Sequence, residues 1–430
     1  MSQATMAPEG SQAPESPRVI VPPVKWRAPG FMIAFTLIAL VGFVLFTDGG
    51  TETTFRVSTG GEAAELPNTA VPTVPALWVL TLVMAALAAY ATVRALRREP
   101  VGWWPPAAFG AAFVIAFLTW VGAGATISVT SLLIGGLALS VPLVFGSLSG
   151  VMCERSGVIN IAIEGQLLAG AFLAAVVASL AGNPYVGVLA APVAGALVGV
   201  LLVFFSVKYW VDQIIVGVVL NVLVLGLTTF FFSTVLSDNP DLNQRFRLPP
   251  LEIPVLSDIP ILGPVLFNQN ILVYLMYAAI ILLQFFLFRS RWGLRVRAVG
   301  EHPKAADTVG IDVIRTRWVT PILGSALAGL GGAFFTVGSG LAFGRDMSAG
   351  NGFIALAAMI LGRWNPLGAM AAALLFGLSR NLANMLSTMG GSGIPGEFLL
   401  MLPYVITIFA VAGFVGRVRP PAAENKPYVK

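Results

Sequence analysis

Apolar runs of about twenty residues recur along almost the whole chain, and this recurrence limits the possible folds more than any other feature. The runs fall near 31–47, 74–93, 103–121, 126–149, 161–181, 186–206, 211–236, 271–288, 319–341, 351–362, 366–386 and 398–416. Nearly all have the length that a bilayer demands of a helix. The run 351–362 is too short to cross and reads as half of a broken or re-entrant element, which is tolerated where protein buries it. Only 10% of the 430 residues are charged and 57% are hydrophobic, whereas soluble domains carry about a quarter charged residues. A soluble enzyme is excluded. The alternating ten-residue pattern of a membrane barrel is absent. The fold class expected is an all-α polytopic membrane protein with about 10–12 transmembrane helices, including broken or re-entrant elements.

Loop charges set the expected orientation. The segment before the first run has Arg18, Lys25 and Arg27, and the next loop has Asp48, Glu52, Glu62 and Glu65 against Arg56. Arg94, Arg97 and Arg98 follow the second run, and the loop 237–270 carries four acids and two arginines. The loop 289–318 has seven basic residues against three acidic ones, and Arg417 and Arg419 follow the last run. Basic and acidic loops alternate, so both termini and the loop 289–318 are expected on the cytoplasmic side of the membrane. The net charge of +5 then reflects topology, and no nucleic-acid partner is implied.

Four segments are expected. Residues 1–29, rich in Pro, Ser, Gln and Glu, read as a disordered cytoplasmic tail. Residues 30–125 read as additional N-terminal transmembrane helices. Residues 126–418 hold nearly all the intramembrane polar groups and read as a transport core, and 419–430 as a cytoplasmic C-terminal tail.

Chemistry is sparse. With one cysteine, Cys153, and one histidine, His302, no disulfide forms within the chain and no Cys/His metal site is expected. There is no G-x-x-x-x-G-K-[ST] loop, no HExxH and no GxSxG. A transporter driven by an ion gradient or by a partner is favoured over a membrane enzyme acting on lipid.

Ionisable groups inside a span are costly, and each one asks for a role. Glu154 and Arg155 either pair with each other or sit at the interface near lipid headgroups. Asn160 and Glu164, four apart, would share a helical face and either line a pathway or gate or brace a neighbouring helix. Asn221 lies deep in the run 211–236, suited to contact a solute or to bond another helix, and Asp212 and Gln213 stand near the start of that run. Arg363, Trp364, Asn365 and Pro366 interrupt the apolar pattern, as a meeting of half-helices or as a tight turn. Arg380, Asn381 and Asn384 mark the outer part of the following helix. The glycines of Ala326–Gly340 suit close helix packing.

The loop 289–318 contains "GEHPKAADTVG", a short helix with punctuation: Pro303 suits the first helical position and Gly310 the position past the end. It serves as a docking element for a partner or as a surface turn.

Four blocks together resemble a known family: "ERSGVINIAIEGQLLAGAF" (Glu154–Phe172), "DQIIVGVVLN" (Asp212–Asn221), "RWGLRVRAVGEHPKAADTVGIDV" (Arg291–Val313) and "GFIALAAMILGRWNPLGAMAAALLFG" (Gly352–Gly377). In this order they are similar to permease subunits of bacterial ABC importers of the branched-chain amino acid/simple sugar superfamily, nucleoside type. The likeness runs from about Ser131 to Val415 and leaves the first three spans outside it. It implies a substrate that is a nucleoside or a related simple sugar. The partners implied are a separate ABC ATPase subunit that binds ATP and Mg, a second permease subunit (paralogue or self), and a lipoprotein or periplasmic binding protein. It also implies that Gly300, Glu301, His302, Pro303, Ala305, Ala306 and Gly310 couple the chain to the ATPase. The rival reading is a gradient-driven secondary transporter of a small polar solute.

Overall fold

The computed structural model describes residues 26–58, 66–389, 401 and 419–429. Among them are ten helices long and apolar enough to cross a membrane, and the chain is an all-α multi-pass membrane protein. The expected run 398–416 lies outside the described residues, as do residues 1–25 of the expected tail. The chain divides into two compact units.

The first unit holds α1 (Arg27–Ile38), which runs on as a wider π-helical turn to Val44, with α2 (Thr73–Leu96) and α3 (Trp104–Val121). Helix therefore begins at Arg27, inside the span expected to be disordered. Alanines let these helices close around larger side chains: Leu77, Met84, Ala88 and Ala91 of α2 are buried with Phe43, Phe109, Ala112 and Ala116. Phe43 stacks on Trp120 at 4.9 Å, and Phe35 meets Phe113 edge-on at 5.0 Å, geometries that aromatic quadrupoles favour.

The second unit begins with strands. β1 (Glu52–Arg56) pairs antiparallel with β2 (Thr69–Pro72) and parallel with β3 (Thr126–Ser128), in the order β2–β1–β3. Phe55 faces Thr69 on one side and Ile127 on the other. The loop between α1 and α2 thus packs with the second unit, so contacts divide the stretch 30–125 that composition alone treats as one block.

The long helix α4 (Val129–Arg155) is the axis of this unit, buried on every face from Ser140 to Glu154. After it come α5 (Ile163–Ala181), α6 (Pro184–Val203), which packs on α5, and α7 (Gln213–Phe231), which also packs on α5. A short antiparallel pair, β4 (Leu251–Glu252) with β5 (Asn268–Gln269), precedes α8 (Ile271–Arg289). Two short helices, α9 (Arg291–Glu301) and α10 (Pro303–Thr308), lead to α11 (Val313–Gly332), α12 (Asn351–Leu361) and α13 (Pro366–Met389). Close approach explains the glycines of α11: a Cβ on Gly170 of α5 would lie 2.1 Å from the Gly329 carbonyl oxygen. This is packing, as the glycine pattern of Ala326–Gly340 suggests.

The run 319–341 is displaced in the structure. Helix α11 starts earlier, at Val313, because Asp312 caps it by accepting from the Arg315 amide at 2.8 Å and because Arg317 finds partners inside the protein. It ends earlier, after a 3-10 turn at Ala333–Phe335. The backbone of 336–350 is then irregular. Its polar groups are met by protein: Leu248 donates to the Val337 carbonyl, and Asn243 exchanges two bonds with the backbone of Phe343. Then comes α12, with 11 residues and a length of about 16 Å, half a bilayer. This is the broken element that the short run 351–362 announces.

Candidate functional site

The polar groups of the opening motif sit where α4 turns into α5. Gly157 takes φ +85°, the left-handed region open to glycine, and the chain folds back alongside the last turns of α4. Asn160 then lies against Ser149 (3.1 Å) and Gln166 (3.0 Å). Gln166 returns a bond to the Asn160 Oδ1 at 3.0 Å and donates to Ser325 of α11 at 2.9 Å. Asn160 and Gln166 are fully buried, and a buried amide network of this kind holds only when its members are satisfied. The expectation that Asn160 and Glu164 share a helical face is corrected here. Helix α5 starts at Ile163, and Asn160 lies before it in a non-helical turn bent toward Ser149 and Gln166. The two side chains therefore meet different partners.

Helix α7 fastens the same turn from the other side. Asn221 accepts from the Gly165 amide at 2.8 Å and donates to the Ile161 carbonyl at 2.9 Å. Gln213 accepts from the Ile159 amide at 2.7 Å. Asp212 caps α7 through the amides of Ile214 and Ile215. Its carboxyl is held below the usual carboxylate range, first by the Asn425 side chain and then by those amides.

Glu164 reaches across to the start of α12. Its Oε1 accepts from the Gly350 amide at 2.8 Å and its Oε2 from the Gly352 amide at 2.5 Å. Gly350 itself offers no side-chain cap, and a carboxylate at a helix N-terminus meets both the unpaired amides and the favourable end of the dipole. The approach is tight, since a Cβ on Gly352 would lie 2.4 Å from the Glu164 backbone nitrogen. Arg380 of α13 donates to Asn351 Oδ1 at 2.6 Å, so α13 also holds this end, while Asn381 donates to the Leu132 carbonyl of α4 at 2.9 Å.

The other end of α12 meets the end of α4. Arg363 and Trp364 both have positive φ, +56° and +52°, and they form the tight turn into α13. Glu154 accepts from the Trp364 indole at 2.5 Å. Arg155 donates to the carbonyls of Trp364 (3.0 Å) and Arg363 (3.4 Å). Glu154 and Arg155 neither pair with each other nor are left at a bare interface; both hold this turn. The break at Arg363–Pro366 is the tight helix–helix turn, one of the two readings the sequence allows.

The segment 300–310 is an elbow of two helices. Gly300 closes on α4, where a Cβ would lie 2.2 Å from the Arg155 carbonyl oxygen. Glu301 ends α9, and His302, at φ −146° and ψ 78°, breaks the helix. Pro303 starts α10 and Gly310, at φ +79°, follows its end, the punctuation read from the sequence. Ala306 is buried against Val299 and Val313, while Lys304, Ala305, Thr308 and Val309 are exposed. One amendment follows: Gly300 and Glu301 belong to α9, and only Pro303–Thr308 forms the short helix.

The sequence reading passes over several groups that complete the site. Gln166 is the hub of the buried amide network, and its signal is an amide inside an apolar run. Arg317 is buried and donates to the carbonyls of Lys426 (2.7 Å) and Ala423 (3.2 Å). The segment 419–429 thus packs onto the protein, and no composition rule announces that. Among the described residues no cluster of three or more His, Cys, Asp or Glu side chains is placed to hold a metal. The arrangement is one of helix ends, caps and braces that hold a half-helix at both ends.

Comparison with known proteins agrees with this architecture. A family model described as branched-chain amino acid transport system / permease component matches residues 132–411, which lie in the second unit. The guanosine ABC transporter permease protein NupQ of Bacillus subtilis (strain 168) is 37% identical over 306 residues, 68% of this chain and 95% of the relative. The nucleoside ABC transporter permease protein NupC of Lactococcus lactis subsp. cremoris (strain MG1363) is 39% identical over 302 residues, again 68% of this chain and 95% of the relative. A putative glucose ABC transporter permease protein, TsgC13 of Haloferax volcanii, is 32% identical over 240 residues, 55% of this chain and 71% of the relative. Ten membrane-length helices, the half-helix α12 and a family match over the unit that contains it lead to one assignment: the chain belongs to the branched-chain amino acid transport system / permease component family of ABC transporters.

Proposed function

We propose that this chain is the membrane subunit of an ATP-driven importer that carries nucleosides inward. The observation that carries the substrate class is likeness to two permease proteins, one named for guanosine and one for nucleosides, across 95% of their lengths. The chain performs no covalent chemistry in this reading; ATP and Mg bind a separate ATPase subunit. A second permease subunit, another copy or a paralogue, completes the membrane part, and a binding protein delivers the solute. Both termini and the α9–α10 elbow face the cytoplasm.

The geometry supports a division of labour. The elbow Gly300–Gly310 is the coupling element: its exposed residues Lys304, Ala305 and Thr308 meet the ATPase, and Gly300 transmits the movement to the end of α4. Half-helix α12 is the moving part of the gate, because helix ends inside a membrane are tolerated where they line a cavity or bind a solute. Glu164 and Asn221 set its position through α5, and Asn160 braces the turn between them.

Two substitutions test the coupling. Ala305→Trp adds bulk on the exposed side of α10 and is expected to leave the subunit folded while abolishing substrate-stimulated ATPase activity and uptake together. Ala306→Trp, aimed into the buried side, is expected to destabilise the subunit. If Ala305→Trp transports and couples like wild type, the elbow is not the coupling element.

A further inference from the structure

The C-terminal segment fills the joint between the elbow and two membrane helices. Helix α9 stops at Glu301 because His302 leaves helical geometry, and the last carbonyls of a helix then lack partners in a following turn. The segment supplies one. The Gly300 carbonyl accepts from the Ala423 amide at 2.9 Å. Next to it, Glu301 Oε2 accepts from the Ala422 amide at 3.2 Å. Tyr428 packs on the cluster of Val299, Ala306 and Val313, so the same segment covers the place where α9, α10 and α11 meet.

Two other helices hold the segment in turn. Arg317 of α11 is only 2% exposed. Its terminal nitrogens donate to the carbonyls of Lys426 at 2.7 Å and Ala423 at 3.2 Å, and no carboxylate pairs with it among the described residues. A buried guanidinium is costly without acceptors, so α11 and the segment specify each other's position. On α7, Asn425 donates to Asp212 Oδ2 at 3.1 Å and accepts from the Gln213 amide at 3.4 Å. Asn425 stands at φ +54°, a left-handed conformation that asparagine adopts more readily than most residues.

The connection continues toward the half-helix. Gln213 Oε1 accepts from the Ile159 amide at 2.7 Å, in the turn before α5. A Cβ on Gly157, at the bend of the same turn, would lie 3.3 Å from the Ala423 carbonyl oxygen. Helix α5 then carries Glu164, which holds the start of α12. Between Ala422 and Lys426 the chain therefore bonds to the end of α9, the first turns of α11 and the start of α7. A tail resting on a surface needs none of these backbone bonds.

We propose that residues 419–429 are a clamp, a second arm of the coupling apparatus that fixes the elbow to α7 and to the turn into α5. The contact of Gly300 with α4 is a close approach of backbones without a side chain, and alone it is a pivot. The clamp adds a second fixed point, so movement of the elbow displaces the starts of α7 and α5, and with α5 the anchor of α12. Asn425 is its positioning residue on α7. The clamp stands on the hydrogen bonds above; its part in coupling rests on the proposed function.

Amide hydrogen exchange on the full-length chain in lipid nanodiscs tests the clamp itself. Asn425→Gly suits the positive φ and removes both bonds to α7. Exchange of 422–426 should rise about tenfold, with α2 unchanged as the mark of an intact fold. Ending the chain at Val418 should raise exchange at His302 and Ala306 as well. Wild-type exchange at the elbow in the shortened chain, or at 422–426 in Asn425→Gly, would overturn the clamp. The second measurement is nucleoside carried per ATP hydrolysed by the complete transporter. Asn425→Gly should lower this ratio about fivefold. A role in stability alone would lower both rates together, and an unchanged ratio would overturn the coupling arm. The exchange readout needs no substrate or ATPase, so a clamp that fails there fails separately from the transport reading.

Discussion

The two ends of α12 are held by opposite chemistry. At the N-terminal end the carboxylate of Glu164 takes two backbone amides; at the C-terminal end the guanidinium of Arg155 donates to two carbonyls of the turn. Each charge matches the sign that the helix dipole asks for. The surroundings differ, however. The Glu164 end is buried and closes on glycine, with Gly352 against the α5 backbone, so it has no slack. The Arg155 end is partly exposed and turns through two non-glycine residues at positive φ, so it carries backbone strain. The half-helix is thus wedged at its start and strained at its end.

Substitutions at the two ends separate these chemistries. The largest effect is expected at the wedge. Gly352→Leu places side-chain atoms where the Glu164 backbone stands, and it should cost roughly 3 kcal/mol or more and abolish uptake; a wild-type thermal midpoint would show that α12 is not wedged on α5. Glu164→Ala leaves two amides at a buried helix start without an acceptor, with an expected loss of about 2 kcal/mol in the same melt. Arg155→Ala removes two bonds at a wetter site, and about 1 kcal/mol is expected. Equal losses for these last two would erase the difference between the ends. The smallest effect has the opposite sign. Arg363→Gly keeps the carbonyl that Arg155 holds and relieves a left-handed residue, so a gain of about 0.5 kcal/mol is expected.

The fold was legible because lipid leaves few options. A run of twenty apolar residues in a chain with 10% charge must be a helix, and a run of twelve must be something less than a span. The elbow was legible for a local reason too, since Pro303 and Gly310 act on their own backbone. The site was legible only as a set of residues. The roles of Glu154 and Arg155 depend on Trp364, some 210 positions away, and nothing near either motif signals that meeting. The assumption of one continuous helix through Asn160 and Glu164 failed because a turn at Gly157 precedes α5, and spacing cannot reveal a turn that tertiary hydrogen bonds create. The segment 419–429 was least legible of all. Its sequence has the composition of a tail, and its order comes from Arg317, Gly300 and Asp212 on other elements.

In the proposed function, this chain carries nucleosides inward at the expense of ATP hydrolysed elsewhere. Uptake of a labelled nucleoside into proteoliposomes holding the whole transporter, with and without ATP on the ATPase side, tests it most directly. The prediction is uptake that requires ATP, survives a protonophore, and is competed by other nucleosides but not by glucose or ribose. Uptake that proceeds without ATP and collapses with the protonophore, or that is competed only by sugars, would contradict it.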